Sequence, residues 1–438
     1  MAMKMRMKLL LSIWTSVTTC WLAQSVLAQG SFEQEPINYS SAPVSDPISR
    51  LQQQIDDGTV AMTFDSDFGY LKSVLQALNI LPDSQMLVFS KTSFQLRRIT
   101  PWTPRALYFN DDVYIGWVPQ GDVIEVSSVD PQLGAVFYTL EQTQADRPVF
   151  VRDQGNCLTC HASSRTQNVP GHLVRSVYPS ADGQPHFGAG TFRTNHASPF
   201  AQRWGGWYVT GTHGKQRHMG NVIARDKNEP GKLDIESGAN VTDLSPLTRT
   251  DLYLTGHSDI VALLVLEHQT DMHNYITFAN HETRAALHHG IVMNRALERP
   301  DDFISESTAR RLDNAAEKLV KYMLFADEVL LTDKIVGSSE FTQTFGARGP
   351  RDAHGRSLRD FDLERRLFKY PCSYLIYSEA FDALPAKVKE RVYRRLWEVL
   401  TEQVEDTTFA NLSSRDRRAI YEILLDTKDD LPTYWTSS

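Results

Sequence analysis

Between Met86 and Val151 hydrophobicity alternates with a period of two, and turn residues interrupt it at short intervals. Ala106-Leu-Tyr-Phe109 runs into Asn110-Asp-Asp, and Val113-Tyr-Ile-Gly-Trp-Val118 into Pro119-Gln-Gly-Asp. Val123-Ile-Glu-Val-Ser-Ser-Val129 runs into Asp130-Pro-Gln-Leu-Gly, and Ala135-Val-Phe-Tyr-Thr-Leu140 follows. Strands this close in sequence can pair only as antiparallel neighbours, because a parallel crossover needs a dozen or more connecting residues. The first half of the chain is therefore expected to be built on an antiparallel meander.

The second half reads differently. Ser258 can cap a long helix from about Asp259 to His289, with Ile260, Leu263, Leu264, Leu266 and Ile276 as apolar positions. A second helix is expected over 306–331, where Leu312, Ala316, Leu319, Met323 and Leu330 fall near one stripe, and two more over 385–404 and 414–426. Residues 337–359 read as a long loop. Earlier, short helices are expected over 46–56 and 69–81, the latter stopped by Pro82. The fold class is thus α+β, with a β-rich N-terminal half, 49–250, and a mainly helical C-terminal half, 251–438.

Residues 1–28 have the form of a secretory signal peptide. Lys4, Arg6 and Lys8 precede a mostly apolar run, and Val26-Leu-Ala28 is a small-residue cleavage site. Residues 29–48, rich in Ser, Pro and Gln, are expected to be an exposed leader. No later stretch approaches about eighteen uninterrupted apolar residues, so no membrane span is expected in the mature chain. The formal charge of −8 includes the three cations of the signal, so the mature chain is more acidic still. An acidic chain without a basic run is a poor nucleic-acid binder, and suits a basic redox partner through long-range steering.

The turn Arg152-Asp-Gln-Gly-Asn156 leads into Cys157-Leu-Thr-Cys-His161. Two thiols three positions apart can form thioethers to one edge of a porphyrin, and the next residue then lies under the ring, where its imidazole can ligate iron. A zinc site would need a second ligand pair, and only Cys372 remains as a cysteine elsewhere in the mature chain. A redox dithiol would open a helix after a buried strand. Neither alternative needs histidine after the second cysteine. The reading is one covalently attached haem c, held by Cys157 and Cys160 with His161 as iron ligand. Export agrees with this, since such attachment in bacteria occurs outside the cytoplasm; the expected location is the periplasm. Cys372 lies in an aromatic run and is expected to be a buried, inert thiol.

The second axial ligand decides between carriage and catalysis. Met219, 58 residues after His161 and followed by Gly220, is the leading candidate, with His172, His186, His213, His218 and His273 as rivals or no ligand at all. Arg203-Trp-Gly-Gly-Trp-Tyr208 could bring backbone close to a flat partner, a porphyrin or another strand. Arg203, Arg217, His213 and His218 supply the residue types of a peroxidase-like site. On the long helix Gln269, His273, Asn280 and Arg284 share one stripe, which could line a distal haem pocket or form a buried polar network.

The motif at 157–161 resembles that of the c-type cytochromes, and proximal ligation by His161 is what the likeness implies. The meander departs from the small helical cytochrome fold, so the likeness extends to the motif and not to the fold. The expected function is exported monohaem electron transfer; the alternative is a haem-dependent oxidoreductase or small-ligand sensor with an open distal site.

Overall fold

The computed structural model describes residues 31–436; the expected signal peptide lies outside the described residues. Six strands form one antiparallel sheet in sequence order: β1 (Met86–Val88), β2 (Arg105–Phe109), β3 (Val113–Trp117), β4 (Val123–Asp130), β5 (Gly134–Glu141) and β6 (Phe150–Arg152). Register follows the alternation. Ile115 faces Val126, and Val126 faces Tyr138, which puts all three on one side. The intervening residues Tyr114, Ser127 and Phe137 face the other side, so the sheet carries two different layers.

On the first side the sheet is covered by α1 (Pro47–Asp56), α2 (Leu71–Ala77) and the segment before them. Asp46 caps α1 by accepting from the backbone N–H of Ile48 and Ser49. Its other oxygen accepts the Tyr138 hydroxyl at 2.6 Å. The expectation of an exposed leader over 29–48 is corrected here for the described part: Phe32, Ile37 and Tyr39 are buried in this layer. The Tyr39 hydroxyl donates to the Ala135 carbonyl at 2.7 Å, and Arg152 donates to the Tyr39 carbonyl at 2.7 Å. Three apolar side chains spaced among polar ones suffice to dock an irregular segment, and composition averages them away.

The second side is crossed by α4, a helix of 37 residues from Ile260 to Ala296; the single turn Leu158–His161 (α3) precedes it in sequence. The cap of α4 is Asp259, not Ser258: its carboxylate accepts from the N–H of Val261 and Ala262. The Ser258 hydroxyl instead donates to the Tyr208 carbonyl and accepts the N–H of Leu87, tying the helix start to the sheet. Beyond α4 pack α5 (Glu306–Met323), α6 (Ala386–Leu400) and α7 (Ser414–Thr427). Helix α5 stops eight residues short of the expected 331, and the expected loop 337–359 contains a helical turn, Phe341–Gly346. The largest apolar cluster draws on β1, Phe109, Val129 and Trp207 as well as on the C-terminal helices, so it runs across residue 250. Among the described residues no helix is long and apolar enough to cross a membrane.

The polar stripe of α4 has a structural explanation. Gln269 donates to the Asn110 carbonyl, His273 to Asp111, Asn280 to Pro131, and Arg284 to Gln132 and Pro36, with His281 beside them donating to Gln132. These carbonyls belong mainly to the β2–β3 and β4–β5 turns. A turn buried under a helix leaves its carbonyls without water, and the stripe supplies the donors. Of the two readings of the stripe, the buried polar network is the one the contacts describe.

Candidate functional site

The motif follows β6; His161 lies against Phe137 on the α4 side of the sheet, while Leu158 and Ala162 pack against the apolar cluster of the other side. Asp153 organises its approach: its carboxylate accepts the N–H of Gly155 and Cys157 at 2.9 Å each, and the Asn156 amide at 2.9 Å. The chain then makes one helical turn, with the N–H of Cys160 and His161 both donating to the Cys157 carbonyl. Both thiols are free, Cys160 exposed and Cys157 partly buried. Burial, with the charges of Asp153 and Glu125, pushes the Cys157 thiol up to about 12. A redox dithiol or zinc ligand works as the thiolate, so this surrounding is a poor one for either.

His161 is held on two sides. Its ring lies 4.9 Å from Phe137 of β5, and Nδ1 lies 3.0 Å from the Gly171 carbonyl oxygen. A carbonyl can only accept, so Nδ1 carries the proton and Nε2 keeps its lone pair. Burial, and then the Arg105 and Arg175 cations, hold the imidazole below its ordinary pKa despite the Gly171 contact, which favours the neutral ring. The Gly171 carbonyl is itself placed from two directions. Its own N–H donates to the His161 carbonyl at 2.8 Å, and Asn274 of α4 clamps the next residue, accepting the His172 N–H and donating to its carbonyl, each at 2.8 Å. No side chain would fit at Gly171, where a Cβ would stand 2.2 Å from Asn274 Oδ1.

Three charged residues flank the motif. Arg105 of β2 reaches Glu125 of β4 at 3.0 Å, passing over β3 at Gly116, where a Cβ would stand 3.4 Å from the Arg105 Cδ. Arg175 lies on a second small ribbon, β7 (Arg175–Val177) paired with β8 (Thr191–Arg193). Its guanidinium is near enough to Cys160 and His161 for their electrostatics to register, and its Nε is buried with no hydrogen-bond partner. Among the described residues no carboxylate pairs with it. A half-buried cation without an anion is costly unless an anion completes it. The loop that carries Phe94, 59% exposed, meets the same Glu125 through the Ser93 hydroxyl at 2.9 Å, and a second loop carries Phe187, 61% exposed. These loops are joined where Lys91 N–H donates to the Gly183 carbonyl at 2.9 Å.

This donor set fits a covalent haem: two free thiols, a neutral imidazole with Nε2 open, apolar rings left uncovered and an unpaired arginine of the kind that holds a propionate. A non-haem metal is not offered a comparable cage, since among the described residues no group of three or more His, Cys, Asp or Glu could hold one.

The structure does not bring Met219 to His161. Met219 is 3% exposed; its sulfur accepts the Ser176 hydroxyl at 3.6 Å, and its methyl lies against Gly205. Ser176 follows Arg175 on β7, so the two point to opposite faces, and Met219 lies behind the strand whose front residue faces the motif. Each rival histidine has a partner on at least one ring nitrogen, while His172 Nδ1, His218 Nε2 and His273 Nδ1 have none among the described residues. His172 Nε2 meets Ser127 Oγ at 2.8 Å, His186 donates to Ala224, and His273 donates to Asp111. His213 donates to the Gln216 carbonyl, and His218 accepts the Gly220 N–H. Arg203 is buried in an ion pair with Glu267 at 2.9 Å and Arg217 pairs with Glu236, so the peroxidase-type residues do not converge on His161. The Gly/Trp segment packs on strands: Trp207 Nε1 donates to the Arg175 carbonyl, and a Cβ on Gly205 would lie 2.1 Å from the Val177 carbonyl. Cys372 is fully buried, with its thiol pushed up to about 12 by burial.

Sequence reasoning missed Phe137, Gly171, Arg105, Glu125 and Arg175. One signal bears on Arg105 and Glu125: Gly116 in the middle of a strand marks a place where something crosses closely. No family model, curated protein or solved structure matches this chain.

Proposed function

We propose that the protein carries one covalently attached haem c, bound through Cys157 and Cys160 with His161 as proximal ligand, and transfers single electrons outside the cytoplasm. The observation that carries the reading is the pairing of His161 Nδ1 with the Gly171 carbonyl, next to two free thiols on one helical turn. That pairing fixes the tautomer, orients the ring and raises the basicity of Nε2, the role a partner of a ligating histidine performs. The haem would supply a one-electron iron couple. The chain's own residues do the rest. Asp153 shapes the attachment turn, Phe137 limits rotation of the ring, and Arg175, without a carboxylate partner among the described residues, would meet propionate charge.

A second reading is an iron with an exchangeable sixth position, serving small-ligand binding or catalysis. The engagement of the Met219 sulfur with Ser176 favours it over a methionine-ligated six-coordinate carrier. Absorption spectra of the purified protein separate the two. Covalent haem that resists acid-acetone extraction is expected. Its absence would remove both readings. Rapid carbon monoxide binding by the reduced protein would select the open site, and a spectrum indifferent to carbon monoxide would select the carrier.

A further inference from the structure

Far along the chain from the haem motif, α7 and the segment 356–370 enclose a cleft of about 890 Å³. Its size is that of a small-molecule site. The chain is acidic, yet this lining reverses the sign: six cations face three carboxylates. The carboxylates are already used. Asp416 pairs with Arg366 at 3.0 Å, Glu422 with Arg356 at 2.9 Å and Arg418 at 2.8 Å, and Asp362 with Arg365 at 3.8 Å. Arg356 also holds Asp352 at 2.6 Å.

Two cations remain, Lys369 and Arg415. Both line the cleft, both are exposed, and among the described residues neither has a carboxylate partner. The nearest described partner of the Lys369 ammonium is the Tyr370 ring, 5.4 Å from its centroid. Below this rim the lining is apolar: Phe361, Tyr370 and Ala419, with Leu330 exposed at 62% beside them. Uncompensated positive charge over an apolar floor matches a ligand with an anionic head and an apolar body. The paired arginines form a fixed wall, since Arg366 and Asp416 are 11% and 16% exposed. Such a wall orients without collapsing into the space.

We infer that this cleft binds a small organic anion, a phosphate monoester or carboxylate with an aromatic or aliphatic body, its head between Lys369 and Arg415 and its body on Phe361 and Tyr370. The site is independent of the haem reading, because none of its residues touches the motif.

Calorimetric titration of the full chain with phenyl phosphate, inorganic phosphate and benzylamine tests this. Phenyl phosphate is expected to bind at one site, more tightly than inorganic phosphate, and to weaken with added salt; benzylamine is expected not to bind. Lys369→Ala with Arg415→Ala should weaken phenyl phosphate at least about tenfold, the scale of one charge-assisted hydrogen bond. Arg415→Gln alone removes the charge and keeps an amide donor, and should weaken it by a smaller factor while leaving the circular dichroism unchanged. No saturable binding at millimolar phenyl phosphate, or equal affinity in the variants, would overturn the inference.

Discussion

Gly171 is the backbone partner of His161: its carbonyl oxygen lies 3.0 Å from Nδ1, and its N–H returns a 2.8 Å bond to the His161 carbonyl. The two residues close a loop of the chain on which the imidazole can neither flip nor swing freely. His161→Ala removes the ring and leaves the thiols. The expected outcome is haem that is still attached but has lost the spectrum of an imidazole-ligated iron, with exogenous imidazole restoring it. An unchanged spectrum in the variant would end the ligand assignment.

Met219→Leu is expected to keep the haem spectrum and midpoint potential, because the sulfur is turned to Ser176. The substitution conserves volume and should cost under about 1.5 kcal/mol in stability. Loss of a methionine–iron charge-transfer band on this substitution would show that Met219 reaches the iron after all.

Asn274→Ala should act at a distance. It strands the buried N–H and carbonyl of His172, for a loss of about 2 to 4 kcal/mol in denaturant unfolding. It also loosens the support of the Gly171 carbonyl. A shifted midpoint potential or a faster exchange of the His161 ligand is expected alongside the stability loss, and a purely structural role would leave both unmoved.

The buried Glu267 gives a pH dependence. Burial outweighs its Arg203 partner and raises its carboxyl from 4.5 to about 7. Over that window the folded chain holds a proton that the unfolded chain has released, so this group's contribution to stability falls as pH rises from 4.5 to 7. Glu267→Gln cannot titrate. The urea midpoint of the native chain should therefore fall relative to that of Glu267→Gln between pH 5 and 7.5. Parallel profiles would show that Glu267 is ionised throughout.

Legibility varied with the range of the interaction. The meander, the helices over 47–56, 386–400 and 414–427, and the motif itself follow from local pattern, because alternation, caps and turn residues act within a few positions. The helix cap moved from Ser258 to Asp259 because two adjacent residues can both cap, and only the pairing of Ser258 with Tyr208 and Leu87 decides between them. Gly171 and Arg175 were invisible for the same reason. Their roles come from what folds against them, 10 and 14 positions past the imidazole, and nothing in their immediate neighbours marks them. The spacing of Met219 could not by itself place it, because a residue count carries no information about which face of a strand is reached.

Helix α4 runs for 37 residues, about 55 Å, with sheet turns on one flank and α5 and α6 on the other. Because the apolar cluster passes through it from one half of the chain to the other, neither half can melt while the other keeps its lining covered. Unfolding should appear as a single cooperative transition by every probe. A chain cut at residue 250 would leave the sheet fragment with its α4 face stripped and prone to self-association, so what looks in sequence like two modules is expected to unfold as one unit.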